Sequence, residues 1–252
     1  MELVEEVDST NRELLRRAEA GAPAGIVLVA GHQTAGRGRR DRRWESPPGA
    51  SLLVSVLLRP TVPAEQLHLI TFAAGLAAKA AAEAVAGVRL GLKWPNDVVV
   101  DESDGARKVA GLLAESVVEG GAVAALVVGM GLNVNWDADV PDGGAALNQL
   151  AGGPVDRDRL LTAWLDRFGG DLDRLETASG RAHVLDRYRS ACATIGRQVR
   201  VETAEGAVEG PVTAVDGRGH LVLGPPVDRS FAVGDVVHLR GVSAPGPTST
   251  VA

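Results

Sequence analysis

Five arginines and one aspartate fall within the nine residues Gly36-Arg37-Gly38-Arg39-Arg40-Asp41-Arg42-Arg43-Trp44, in a chain whose formal charge is −6. Glycine widens the choice of backbone states and like charges repel. The segment therefore predicts a loop that is poorly ordered alone and folds over an anion. Guanidinium groups are planar, bidentate donors, which suits carboxylate or phosphate oxygens. Only three lysines, Lys79, Lys93 and Lys108, accompany 23 arginines, so arginine abundance by itself carries no weight. Its clustering does.

Several other chemistries are excluded. No G-x-x-x-x-G-K-[ST] occurs, so a nucleotide site must be built without a P-loop. Gly36-x-Gly38 begins a dinucleotide fingerprint, but Asp41 replaces the third glycine and Pro47-Pro48 follow where a helix should open. The histidines at 32, 68, 183, 220 and 238 lack metal-ligand spacing, and there is no G-x-S-x-G elbow. The single cysteine, Cys192, reads as a small core residue; it excludes an internal disulfide and fits a reducing, cytoplasmic setting. The acidic balance argues against nucleic acid as the main partner. No basic segment precedes an apolar run at the N-terminus. The longest uncharged run, 120–136, is glycine-rich and contains Asn133 and Asn135, a buried strand rather than a membrane span.

The elements that must position these residues follow from periodicity. Residues 3–7 alternate as a short strand, and Thr10-Asn11-Arg12-Glu13 fits a capping box opening a helix to about 20. A β-rich run at 26–30 delivers the chain into the arginine loop, and 51–58 is a second strand ended by Pro60. Residues 63–86 predict one long alanine-rich helix with an inner stripe of Leu67, Ile70, Ala74 and Leu76/Ala77. Strands at 89–93, 97–100, 106–118 and 122–135 form a meander with turns at 101–105 and 119–121, and 158–175 and 181–193 are helical. After Gly196, short alternating runs separated by Glu205-Gly206, Asp216-Gly217 and Gly234-Asp235 predict a small antiparallel barrel. The expected organisation is a first domain over 1–194, an SH3-like barrel over 195–242 and a disordered Pro/Ser/Thr-rich tail over 243–252.

Four segments together resemble the biotin protein ligases: Asp8-Ser9-Thr10-Asn11; residues 33–49 with Trp44-x-Ser46-Pro47-x-Gly49; Lys93-Trp94-Pro95-Asn96-Asp97; and Lys108-Val109-Ala110-Gly111 with Gly129-Met130-Gly131-Leu132-Asn133-Val134-Asn135. They occur in the family's order and, with the terminal barrel, span nearly the whole chain. Two departures stand out: Asp41 where the family usually has glycine, and an acidic turn within 98–108.

The resemblance implies an α+β fold, with a mixed, antiparallel-rich sheet flanked by helices as in class II aminoacyl-tRNA synthetases, and a small C-terminal SH3-like β-barrel. It implies formation of biotinyl-5'-AMP from biotin and MgATP, then transfer to a lysine of a biotin carboxyl carrier domain. Ser9, Thr10, Asn11, Gln33, Gly36 and the backbone at Arg37 match biotin contacts, with Arg37, Arg39 and Lys108 toward its carboxylate. Arg39, Arg42, Trp44, Asn96, Asp97, Gly129, Gly131 and Asn133 match the adenylate side. Lys108, Arg37, Arg39 and Asp97 are the implied catalytic groups, and magnesium arrives with ATP near Asp97. Arg40 and Arg43 are expected to face solvent. The proton acceptor in the transfer step, Asp97 or Lys108, stays open. Ser9 precedes any room for a DNA-binding winged helix, so the single-function type is expected, with no DNA or membrane partner.

Each of these residues also has a plainer reading. Ser9 and Thr10 can be helix caps, Lys108 a surface lysine, Trp44 core packing, Asn96-Asp97 a turn, and Gly129/Gly131 bulges in a strand. The rival functions are a lipoate ligase or lipoyl/octanoyl transferase on the same fold, and an anion- or nucleic-acid-binding module using the arginine loop. Neither the Arg-Arg-x-Ser-Gly-Gly-Gly stretch of the first nor a transferase-type cysteine is present.

Overall fold

The computed structural model describes residues 1–239 apart from 41, 103, 104, 204, 205 and 233. The predicted tail, the substituted Asp41 and part of the acidic turn lie outside the described residues. Twelve strands and five α-helices are described. In chain order they begin β1 (Glu2–Val7), α1 (Thr10–Glu19), β2 (Val27–Gln33), β3 (Ser51–Leu58) and α2 (His68–Ala86). The meander is β4 (Gly91–Lys93), β5 (Asp97–Glu102), β6 (Gly105–Glu119) and β7 (Ala122–Asn133), followed by α3 (Leu147–Ala151), α4 (Arg157–Leu175) and α5 (Ala178–Ala191). These strands form one mixed sheet in the order β1-β2-β3-β7-β6-β5-β4. Only β1 and β2 run parallel; every other neighbouring pair is antiparallel.

The two-residue period of the strands sorts their side chains onto two faces. Val54, Val56, Ala110, Leu112, Val128, Met130 and Leu132 enter the main core with α2 and α4. On the opposite face, Leu57, Ala125 and Val127 pack against Leu14 and Ala18 of α1. Helix α1 covers only part of that second face. Further along it the same register presents Ser55, Gly129, Gly131 and Gly111, which are mutual neighbours across β3, β7 and β6.

Two helix predictions need correction. Ser9, not Thr10, is the N-cap of α1, its hydroxyl accepting from the Arg12 amide. Thr10 is thereby freed for other bonds. The single helix expected over 63–86 is instead a 3₁₀ turn, Ala64–Gln66, followed by α2. The stretch Ala64–Ala86 is long and apolar enough to cross a membrane by composition, yet 61% of its most apolar window is buried within the fold. Its buried set, including Leu69, Phe72, Ala73 and Ala78, is wider than the predicted stripe because α4 and α5 cover it as well as the sheet. Trp164 of α4 donates Nε1–H to the Ala74 carbonyl at 3.1 Å, and Tyr188 of α5 stacks on Phe72. Short α3 was not foreseen.

The last five strands, β8 (Gln198–Thr203), β9 (Gly206–Val215), β10 (Leu221–Leu223), β11 (Arg229–Phe231) and β12 (Asp235–His238), form an antiparallel sheet in the order β11-β10-β9-β8-β12. Its inward residues Val199, Val201, Val212, Leu221 and Phe231 join the main core rather than a separate one. Trp94 is the pin. Its Nε1–H reaches the Gly219 carbonyl at 2.9 Å, and its amide reaches Thr194 Oγ1 at 3.1 Å.

His238 on β12 sits 3.1 Å from Thr194 Oγ1 through Nε2. Burial pushes its pKa down to about 4, with Lys93 and Arg197 adding to the depression and Asp101 opposing it. The folded state therefore prefers the neutral ring. Stability is full above the ordinary histidine value near 6.5 and declines as pH falls toward about 4. After allowance for solvent screening the loss is expected to be roughly 1–2 kcal/mol. Unfolding midpoints of wild type and His238→Gln, whose amide can keep the Thr194 contact, should diverge across that window. Parallel curves would show that His238 does not titrate with unfolding.

Candidate active site

The uncovered half of the sheet forms the floor of a cleft of about 620 Å³. Its polar end is built by α1 and β2. The Thr10 amide and hydroxyl both donate to Gln33 Oε1, at 2.8 and 3.0 Å. Ser55 Oγ lies 2.7 Å from Thr10 Oγ1 and 2.6 Å from Asn11 Oδ1, while Asn11 Nδ2 reaches the Leu113 carbonyl and Glu115 Oε2. Ser9, Thr10 and Asn11 are all buried. Buried polar groups held this firmly offer fixed donors and acceptors to a polar ring.

The floor is made of glycine. A Cβ on Gly129 would run into Asn11 Oδ1, and one on Gly131 would run into the Trp44 indole. Gly111, paired with Gly131 across the strands, would meet Lys108 Nζ at 2.8 Å and the Trp44 ring at 3.2 Å. Three glycines in central strands weaken packing. Here Gly131 and Gly111 leave room for the Trp44 indole against the sheet, and Gly129 leaves room for the Asn11 amide. Trp44 Nε1 is buried without a hydrogen-bond partner among the described residues.

Lys108 is on β6, within the strand expected over 106–118. The β5–β6 register slips between Val98 and Val99, pairing them with Ala110 and Lys108, so β6 carries an extra residue there. Such a bulge re-aims a side chain. The ammonium lies 2.7 Å from Asp97 Oδ1 and 5.5 Å from the centre of the Trp44 ring. The turn carrying Asn96 is pinned to β6: Asn96 Nδ2 donates to the Leu112 carbonyl at 2.6 Å and the Leu112 amide to the Asn96 carbonyl at 2.9 Å.

The arginine segment is a hairpin. Arg37 and Arg43 form a bridge, the Gly38 amide donates to the Arg42 carbonyl at 2.7 Å, and the Trp44 amide to the Gly36 carbonyl at 3.1 Å. Acids distant in sequence, Glu115 and Asp235, lie beside the loop and offset part of its charge. Arg37 pairs with Glu115 at 2.8 Å, while Arg40 and Arg42 pair with Asp235 at 3.2 and 2.8 Å. Arg39 donates to Asn96 Oδ1 and the Gly234 carbonyl, both at 3.3 Å. Its burial lowers its pKa from the usual arginine value, with Asp235 opposing.

The cleft thus brings together every predicted site residue except Gly36, which is buried at the base of the hairpin rather than on the wall. Asn133 lies on the wall, but its amide is engaged, with Nδ2 to the Ala145 carbonyl at 3.3 Å and Oδ1 3.4 Å from Ser51 Oγ. Arg40 and Arg43 are exposed as expected, though Arg43 edges the cleft and Arg40 is paired. Asp235 and the rim at 140–144 line the cleft and were not foreseen; nor was Glu115, which holds Arg37 and Asn11 from behind. Lys93, part of a motif but given no role, also lines the cleft. Lys93 has no ion pair among the described residues, and burial lowers its pKa, Asp97 opposing and Lys108 reinforcing the shift.

Comparison with known proteins agrees with this geometry. The profile of the biotin/lipoate A/B protein ligase family matches residues 3–133. A biotin–[acetyl-CoA-carboxylase] ligase of Mycobacterium tuberculosis is 37% identical over 95% of this chain and 89% of its own length. A bifunctional ligase/repressor of Bacillus spizizenii is 30% identical over 86% of this chain and 67% of its own. The solved biotin protein ligase of Aquifex aeolicus, in complex with biotin and ATP, superposes with a TM-score of 0.81 at 28% identity, covering 95% of this chain and 98% of that one. The chain belongs to the biotin/lipoate A/B protein ligase family, in its biotin protein ligase branch.

Proposed function

We propose that this protein activates biotin with MgATP and transfers it to a lysine of a biotin carboxyl carrier domain. One observation carries the reading: a buried polar cluster, a glycine floor and a cationic hairpin line a single cleft in that order. Biotin has the matching order of parts, a polar ureido ring, an apolar chain and a carboxylate. Ser9, Thr10, Asn11 and Gln33 face the ring, while Leu113 and Gly129 on the cleft side of the sheet, with the backbone at Leu112 and Met130, wall the chain.

In the first step the biotin carboxylate oxygen bonds to the α-phosphorus while the bond to pyrophosphate breaks. Both reactants are anions, so positive groups must gather their charge. Lys108 stands at the junction, with Arg37, Arg39 and Arg42 above it. Gly129 and Gly131 let the adenylate approach the backbone. Asn133 keeps a second lone pair on Oδ1 for an adenine amino group, and Trp44 excludes water from the mixed anhydride. Among the described residues no group of three or more His, Cys, Asp or Glu is arranged to hold a metal. Magnesium enters on the nucleotide, beside Asp97 and Asn96.

In the second step the carrier lysine attacks the acyl carbon and AMP leaves. Its ammonium, with an ordinary pKa near 10.4, must first lose a proton, and the Asp97–Lys108 pair is the acceptor system at hand. Biotin-dependent exchange of labelled pyrophosphate into ATP, absent with lipoate, tests the first step. Exchange supported by lipoate instead would move the chain to the lipoate side of its family.

A further inference from the structure

The small sheet does more than extend the core. Asp235, the first residue of β12, has a carboxylate only 15% exposed, surrounded by three hairpin arginines. Its Oδ2 lies 3.2 Å from Arg40 Nη1 and 2.8 Å from Arg42 Nη2, and its Oδ1 lies 3.8 Å from Arg39 Nη1. Backbone carbonyls of the same sheet complete the contact: Gly234 accepts from Arg39 at 3.3 Å and Glu202 from Arg40 at 3.1 Å. The hairpin and these acceptors are 162 to 195 residues apart in sequence. No other acid of the small sheet pairs with the hairpin among the described residues.

We infer that Asp235 is a positioning residue that latches the arginine hairpin over the cleft. One carboxylate against three guanidiniums leaves the cluster two positive charges in excess, so the latch docks the hairpin without spending its attraction for phosphate. Isolated, the three arginines would repel one another and swing out into water. Docked, Arg39 and Arg42 stand on the cleft wall before a nucleotide arrives. Pre-ordering of this kind reduces the entropy lost on binding. The C-terminal sheet thereby takes part in nucleotide affinity through the hairpin it holds. The inference rests on the nucleotide reading of the cleft given above.

The test is Asp235→Asn, which keeps size and polarity but removes the charge. Trypsin should cut the free variant at the hairpin arginines several-fold faster than wild type, and the KM for MgATP in pyrophosphate exchange should rise about tenfold. The turnover number at saturating MgATP should fall much less, and Asp235→Glu should recover most of the affinity. Arg40→Gln, which removes the latch arginine furthest from the proposed chemistry, should move trypsin sensitivity and KM in the same direction by a smaller factor. Unchanged cleavage and unchanged KM in Asp235→Asn would overturn the latch, as would a lowered KM, which would mark Asp235 as a competitor of phosphate. Wild-type exchange activity, measured alongside, separates these outcomes from failure of the ligase reading itself.

Discussion

Lys108→Ala is expected to lower biotin-dependent pyrophosphate exchange by about 10²–10³-fold, the size of effect seen when one preorganised charge-stabilising donor is removed from an active site. Lys108 is the cation closest to the meeting point of floor, hairpin and Asp97. It is aimed there by the β5–β6 bulge and held by the Asp97 carboxylate at 2.7 Å. The loss should appear mainly in turnover rather than in the KM for biotin, because the charge it offsets develops as two anions are forced together. The substitution removes a side chain that is 40% exposed, so the fold should be unaffected. Exchange within threefold of wild type would remove Lys108 from the mechanism, although the cleft would still be a biotin site.

Gly131→Val should be almost as damaging, for a different reason. Valine suits a β-strand, and Gly131 lies between Leu53 and Gly111 in a well-formed ladder, so the backbone need not move. The new Cβ, however, falls within the Trp44 indole. The indole must leave the sheet, and the valine methyls then stand on the floor where the adenylate must approach the backbone. Activity is predicted to fall by about 10²-fold or more, with the thermal midpoint within a few degrees of wild type and Trp44 fluorescence shifted to the red. A fully active variant would mean that neither Trp44 nor the adenylate uses this floor.

Much of this was legible in the sequence. Apolar runs bounded by turn residues revealed β3, β6 and β7, while Gly129 and Gly131 were singled out by the resemblance to the biotin protein ligases. The polar end, too, came from the resemblance: taken alone, Ser9 and Thr10 read as helix caps. What could not be read was contact between distant segments. Asp235 looks like one half of a hairpin turn, and only the packing of β12 against β8 brings it to the arginines. Glu115 looks like an outward residue of a long strand, yet it receives both Arg37 and Asn11. Counting charges along the chain gives repulsion, while the fold adds Glu115 and Asp235 beside the arginines and leaves the cluster net positive. The helix-start error has a local cause. Ser9 and Thr10 are both competent caps, and tertiary bonding of Thr10 to Gln33 decides between them.

The transfer reaction offers the most direct check on the whole account. A carrier-domain peptide incubated with the protein, biotin and MgATP should gain the mass of one biotinyl group, on a single lysine, and only when all three components are present. An unmodified peptide under conditions where that domain is folded and the nucleotide is consumed, or a mass gain supported by lipoate in place of biotin, would contradict the assignment.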